Sequence, residues 1–114
     1  MISLPKFYIT TAIPYVNAKP HIGFALECVQ ADVIARYRKI NGASVWLTTG
    51  ADENSLKNVQ AAEKLGISTE KLCETNAALF RTLADRIGLS YSAFVRSSIK
   101  GSDHWKDTEM LWMS

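Results

Sequence analysis

The sequence predicts an α/β fold built on a parallel sheet, and three stretches carry that expectation. Phe7-Tyr-Ile-Thr-Thr-Ala12 is a short apolar and β-branched run followed by a turn-rich segment. Ile22 to Ile40 places apolar residues at helical steps and stops at Asn41-Gly42. Val45-Trp-Leu-Thr-Thr49 is a second apolar run. Strand, helix and strand at this spacing make a βαβ unit, whose crossover is right-handed almost without exception.

The first strand has only Thr10 and Thr11 as polar members, so it is expected to be buried on both faces. Pro14 and Pro20 bracket a loop holding Asn17, because proline removes a backbone donor and cannot sit inside a helix or central strand. In the first helix Ile22, Leu26, Val29, Val33, Tyr37 and Ile40 share one face and are expected to meet the core. Glu27, Gln30 and Lys39 fall away from it. Asp32 and Arg36 sit four apart and read as a surface pair worth a few tenths of a kcal/mol, roughly.

Gly50 to Ser55 leaves the second strand as a polar loop. A helix from about Ser55 to Leu65 should turn Val59, Ala62 and Leu65 inward and end at Gly66. Ser68 caps the next, about Thr69 to Ile87, with Leu72, Leu79, Leu83 and Ile87 as its inner stripe and Gly88 as its stop. Tyr91 to Arg96 reads as a third short strand. Gly101-Ser102-Asp103 opens a last helix from His104, carrying Trp105, Met110, Leu111 and Trp112.

At 114 residues the chain has room for one small domain. Its 47% hydrophobic and 21% charged residues are those of a soluble globular protein, and a net charge of +2 is too small to argue for nucleic acid. Cys28 and Cys73 are far apart with no CxxC, which speaks against a disulfide framework or a zinc site. Both read as core cysteines of a reducing compartment. The start, Met1-Ile-Ser-Leu-Pro-Lys6, lacks the form of a signal peptide, and no run reaches membrane-spanning length. A cytoplasmic protein is expected.

Ligands of open α/β sheets bind beyond the carboxyl ends of the strands. Two polar clusters lie at such ends, Ile13 to Phe24 and Gly50 to Asn54. If their strands are adjacent, they flank one pocket. His21-Ile-Gly23 falls at a helix N-terminus, where unpaired N–H groups and the helix dipole favour an anion. His21 can donate to a phosphate, with Lys19 as a cation at the mouth. Gly23 has no Cβ and lets a flat ring such as a purine approach the backbone. Asp52 offers a negative charge suited to an ammonium group. A phosphate end and an ammonium end together suggest a nucleotide and an amino acid. The plainer roles are capping by His21, capping of the next helix by Asp52 or Asn54, and packing by Tyr15. No GxGxxG follows the first strand, which disfavours a dinucleotide-binding unit.

Ile9-Thr-Thr-Ala-Ile-Pro-Tyr-Val-Asn-Ala-Lys-Pro-His-Ile-Gly23 resembles the first signature of the class I aminoacyl-tRNA synthetases, most closely in the methionyl-tRNA synthetase family. Gln30-Ala-Asp-Val-Ile-Ala-Arg-Tyr37 and Thr49-Gly-Ala-Asp-Glu53 extend the likeness, and Leu65-Gly-Ile and Phe94-Val-Arg-Ser continue it more weakly. The resemblance implies the first half of a doubly wound parallel-sheet nucleotide-binding fold, Rossmann-like and of HUP type, truncated before the connective insertion. Residues 1–98 would be the N-terminal half of the catalytic domain, and residues 99–114 a helix leading towards the connective domain. The implied reaction joins methionine to ATP as methionyl-adenylate and then transfers the acyl group to tRNA. The implied cofactor set is ATP as substrate with Mg2+, and no zinc is bound by this stretch. Asp52 would bind the methionine ammonium, Ile13 and Tyr15 would line the amino-acid site, His21 would stabilise the transferring phosphate, and Gly23 would seat adenine.

The pattern departs from the family at Phe24, where the signature has a second histidine, and at Asn54-Ser55, where the family often has His-Gly. A phenyl ring cannot donate to a phosphate, and loss of such a donor commonly costs about two to three orders of magnitude in rate. Restoring histidine at 24 is therefore expected to raise the rate. A Lys-Met-Ser-Lys-Ser-like loop, a cysteine-rich zinc knuckle and an anticodon-binding domain are missing from this sequence, so the 114 residues alone are expected to be inactive. The alternatives are a degenerate nucleotide- or partner-binding paralogue and another HxGH-type nucleotidyltransferase.

Overall fold

The computed structural model describes residues 3–114. Met1 and Ile2, with which the expectation of no signal peptide begins, lie outside the described residues. The elements run β1 (Lys6–Thr10), α1 (Ile22–Ile40), β2 (Ser44–Ala51), α2 (Leu56–Leu65), α3 (Thr69–Arg86), β3 (Ala93–Arg96) and α4 (Asp103–Met113). The strands form one parallel sheet in the order β1-β2-β3, as an α/β protein of this kind requires. Among the described residues no helix is long and apolar enough to cross a membrane.

Among the described residues β2 is the one central strand. Its Leu47, Thr49, Gly50 and Ala51 are buried, and the Thr49 hydroxyl is satisfied by that of Thr11 at 2.7 Å. It also runs through Gly50 and Ala51, which the sequence had suggested were loop. Gly50 has to be glycine because a Cβ there would lie 2.2 Å from the Val95 carbonyl oxygen on β3. β1, expected to be buried on both faces, is instead an edge strand. It alternates, with Phe7 and Ile9 half-buried and Tyr8 exposed, since α1 packs on one of its faces.

The largest correction concerns α1. The expected inner face points outwards, with Leu26 58% and Val33 61% exposed. The residues that meet the sheet are Phe24, Cys28, Ala31 and Ala35, at the same helical steps but on the opposite face. Three of the four are small, which lets the helix lie close on β2. α2 and α3 show the same bias. Asn58 and Ala62 are the buried residues of α2, in place of Val59 and Leu65. In α3, Leu72 is buried as expected and Leu83 packs on the core from half-burial, but Cys73, Asn76, Ala77, Phe80 and Ala84 complete the inner stripe and Leu79 and Ile87 face out. Both cysteines are free and buried, as expected. Burial raises the pKa of each thiol.

The helix ends follow the sequence. Ser55, Ser68 and Ser102 each accept an N–H of the following turn, and Gly66 ends α2 in the left-handed conformation at φ 66°. The Asp32–Arg36 pair does more than decorate α1. Asp32 accepts from the Ser90 N–H at 2.9 Å and from the Ser90 hydroxyl, while Arg36 bonds Asp32 at 2.7 Å and the Gly88 carbonyl at 2.6 Å. The pair therefore clamps α1 to the turn that leads into β3. Burial pushes the Asp32 carboxyl up, but Ser90 and Arg36 outweigh it and hold it below its ordinary range.

Candidate active site

β1 and β2 are neighbours, so the loops after them meet. The Asp52 N–H donates to the Pro14 carbonyl at 2.9 Å, and Tyr15 and Asp52 form an isolated parallel bridge. The segment after β1 is thus stitched to the residue that follows β2, which brings the two polar clusters side by side, while the cavity beside His21 is walled by residues of the first cluster and Phe80.

The turn into α1 is built around His21. Its backbone is extended (φ −118°, ψ 173°), as an N-cap requires, and its Nδ1 accepts the Gly23 N–H at 2.9 Å. That bond assigns the proton to Nε2. One ring nitrogen caps the helix and the other remains a donor on an exposed side chain, so capping leaves that donor free for a ligand or for water. A Cβ at Gly23 would lie 2.6 Å from His21 Cε1, so a larger residue would push the imidazole off its cap. Phe24 is 5% exposed and meets the edge of Phe80 with ring centroids 5.0 Å apart. The fourth signature position has become part of the core. The ring packs on Phe80 and at the same time lines the cavity beside His21. Tyr15, His21, Lys19 and Phe24 line a cavity of about 320 Å³, with Phe80 at its base. Ile13 is half-buried in the same loop. The Lys57 ammonium stands 5.7 Å from the centre of the Tyr15 ring, a cation the sequence did not single out.

Beside Tyr15, Asp52 is held through one oxygen. Its Oδ1 accepts the Asn54 N–H at 3.0 Å and the Ser97 hydroxyl at 3.4 Å. Its backbone carbonyl accepts from Asn58 Nδ2 at 3.3 Å. The next residue, Glu53, has a side chain with no exposure at all. Arg96 Nε bonds its Oε1 at 2.5 Å and Arg96 Nη2 reaches Oε2 at 3.4 Å, while Ser98 donates to Oε2. Arg96, Ser97 and Ser98 close β3 and follow it, so the carboxyl ends of all three strands converge on this loop. The rule that placed ligands at strand ends could have found them, but a four-residue strand gives a weak sequence signal. Ser55, rather than Asp52 or Asn54, caps α2. His104 and Trp105 lie to the side, lining a second cavity of about 420 Å³ with Asn54 and Ser97.

Residues 7–113 match the family model of the class I tRNA synthetases (M). The chain belongs to this family. It is 39% identical over 113 residues to a methionine–tRNA ligase of Brucella melitensis, matching 99% of this chain and 22% of that protein. It is 41% identical over 106 residues to the methionine–tRNA ligase of Mycobacterium leprae, matching 93% of this chain and 19% of that one. The solved structure of Mycobacterium tuberculosis methionyl-tRNA synthetase in complex with methionyl-adenylate superposes with a TM-score of 0.91 at 35% identity, over 96% of this chain and 21% of that one. The chain therefore spans about a fifth of the length of the family members it matches. The parallel α/β architecture expected from the resemblance is that of the family.

Proposed function

We propose that this chain carries the substrate-facing loops of a methionine–tRNA ligase. The observation behind this is the stitching of the His21 turn to Asp52 across adjacent strand ends, in a chain that superposes on a synthetase bound to methionyl-adenylate. In the activation step a methionine carboxylate oxygen attacks the α-phosphorus of ATP and the bond to pyrophosphate breaks. No covalent bond to the protein forms, so the residues act by positioning and by charge.

Asp52 holds the methionine ammonium, and its negative charge sits where the unpaired amino group has to be oriented. Ile13, through its carbonyl, and Tyr15, through its ring, line the amino-acid site. His21 Nε2–H donates to the phosphate as charge develops there. Gly23 leaves room for the adenine to approach the turn, and Phe24 supports that turn from below. ATP enters as its magnesium complex, and tRNA accepts the acyl group in the second step. Residues 1–98 form the N-terminal half of the catalytic domain, and α4 within residues 99–114 leads towards a connective domain. Free, buried cysteines suit a cytoplasmic setting.

ATP–pyrophosphate exchange in the complete protein tests this. Exchange should depend on methionine, and Asp52→Ala should weaken methionine far more than ATP. Exchange that is absent, or independent of methionine, would sink the proposal. The burial of Phe24 against Phe80 favours a second reading, a paralogue that binds nucleotide or a partner without activating methionine. It predicts ATP binding without exchange.

A further inference from the structure

We propose that Ser97 is a positioning residue for Asp52, an assignment that rests on Asp52 being the ammonium ligand. Ser97 stands directly after β3, and its hydroxyl has two partners on consecutive residues of the facing loop. It accepts the Glu53 N–H at 2.7 Å and donates to Asp52 Oδ1 at 3.4 Å. A hydroxyl has one proton, so accepting from Glu53 leaves that proton for the carboxylate. Its backbone is tied as well: the Ser97 N–H donates to the Ala51 carbonyl at 3.2 Å, and its carbonyl accepts from Asn54 Nδ2 at 3.4 Å. One residue of β3's end thus touches Ala51, Asp52, Glu53 and Asn54.

The consequence is a carboxylate with unequal oxygens. Oδ1 has the Asn54 N–H and the Ser97 hydroxyl, and no described protein group donates to Oδ2. No cation pairs with the carboxylate within the described chain, whereas the neighbouring Glu53 is paired with Arg96. Holding Oδ1 fixes the plane of the group and presents Oδ2 to an incoming ammonium. Removing the Ser97 hydroxyl leaves the Asn54 N–H as the single described hold on Oδ1, which loosens that rotation, and also unpairs the Glu53 N–H, without altering any group on the His21 side. The loss should therefore fall on methionine and spare ATP.

The test uses methionine-dependent ATP–pyrophosphate exchange in the complete protein, with Ser97→Ala, Ser97→Thr and Asp52→Ala compared. Ser97→Ala should raise the KM for methionine about tenfold, the size of one hydrogen bond to a charged group, with the KM for ATP within about twofold. Ser97→Thr keeps the hydroxyl and should return the methionine KM to within about twofold of the parent. A methionine effect in Asp52→Ala with none in Ser97→Ala overturns the Ser97 assignment and leaves the Asp52 role standing. Equal rises in both KM values that threonine does not rescue also overturn it, since they describe a structural serine. No methionine effect in Asp52→Ala overturns both. Thermal unfolding of each variant identifies any that fails to fold, and for such a variant Ser97→Thr decides the matter: a methionine KM raised as far as that of Asp52→Ala counts against the assignment.

Discussion

Two aspartates are held by serines on either side of β3, and their settings differ. Asp32 is saturated. Ser90 supplies its N–H and hydroxyl to Oδ1, and Arg36 occupies Oδ2. Asp52 is half used, with Ser97 and Asn54 on Oδ1 and no described donor on Oδ2. The same device, a serine hydroxyl reaching back to a carboxylate, makes a clamp where a cation completes it. Where none does, it leaves one carboxylate oxygen without a described protein donor. Glu53 marks the far limit of this series, buried completely and paired with Arg96.

The comparison can be strained at three points. Arg96→Met should have the largest effect on stability, about 3 kcal/mol in denaturant unfolding, because it leaves the Glu53 carboxylate buried without its cation. A loss under 1 kcal/mol, roughly, would mean that the Glu53 side chain reaches water once Arg96 is gone. Asp32→Asn should cost about 1–2 kcal/mol at neutral pH, through the lost charge on two hydrogen bonds and an ion pair. Its pH dependence has a fixed sign. The folded pKa lies below the ordinary 3.8, so the stabilisation is present above that value and fades as pH falls through the folded pKa. Unfolding curves of parent and variant should therefore converge in acid, and a gap that persists there would show that charge is not the cause. Asp52→Asn should have the smallest effect, within about 0.5 kcal/mol, since the amide oxygen still accepts from Asn54 and Ser97. A loss as large as that of Asp32→Asn would make Asp52 a second clamp.

Much of this was legible in local signals. Seven elements, the Ser68 cap and the glycine stops of α1, α2 and α3 were read from spacing and turn chemistry, with boundaries displaced by a few residues, while the cap of α2 moved from Asp52 or Asn54 to Ser55. His21 and Gly23 were legible because cap, turn and glycine lie within three residues of one another. What was missed depends on distant partners. Glu27 was assigned to the solvent side, yet it accepts the Ala12 N–H at 2.6 Å. Asn58 is wholly buried because it reaches the Asp52 carbonyl. Phe24 looked like a damaged phosphate ligand, and Phe80, far along the chain, makes it core.

By itself the sequence determined the order of strands and helices, the place where each helix stops, and the family, because capping, periodicity and an ordered motif act over a few residues. Only the tertiary structure decided which face of α1 meets the sheet. The helix carries two apolar stripes at the same period, and periodicity cannot rank them. Close packing on β2 favours Cys28, Ala31 and Ala35 over the bulkier Leu26, Val29 and Val33. The same holds at the site. Local chemistry singled out Asp52, but the hydrogen bonds that leave one of its oxygens open come from a strand that ends more than forty residues later.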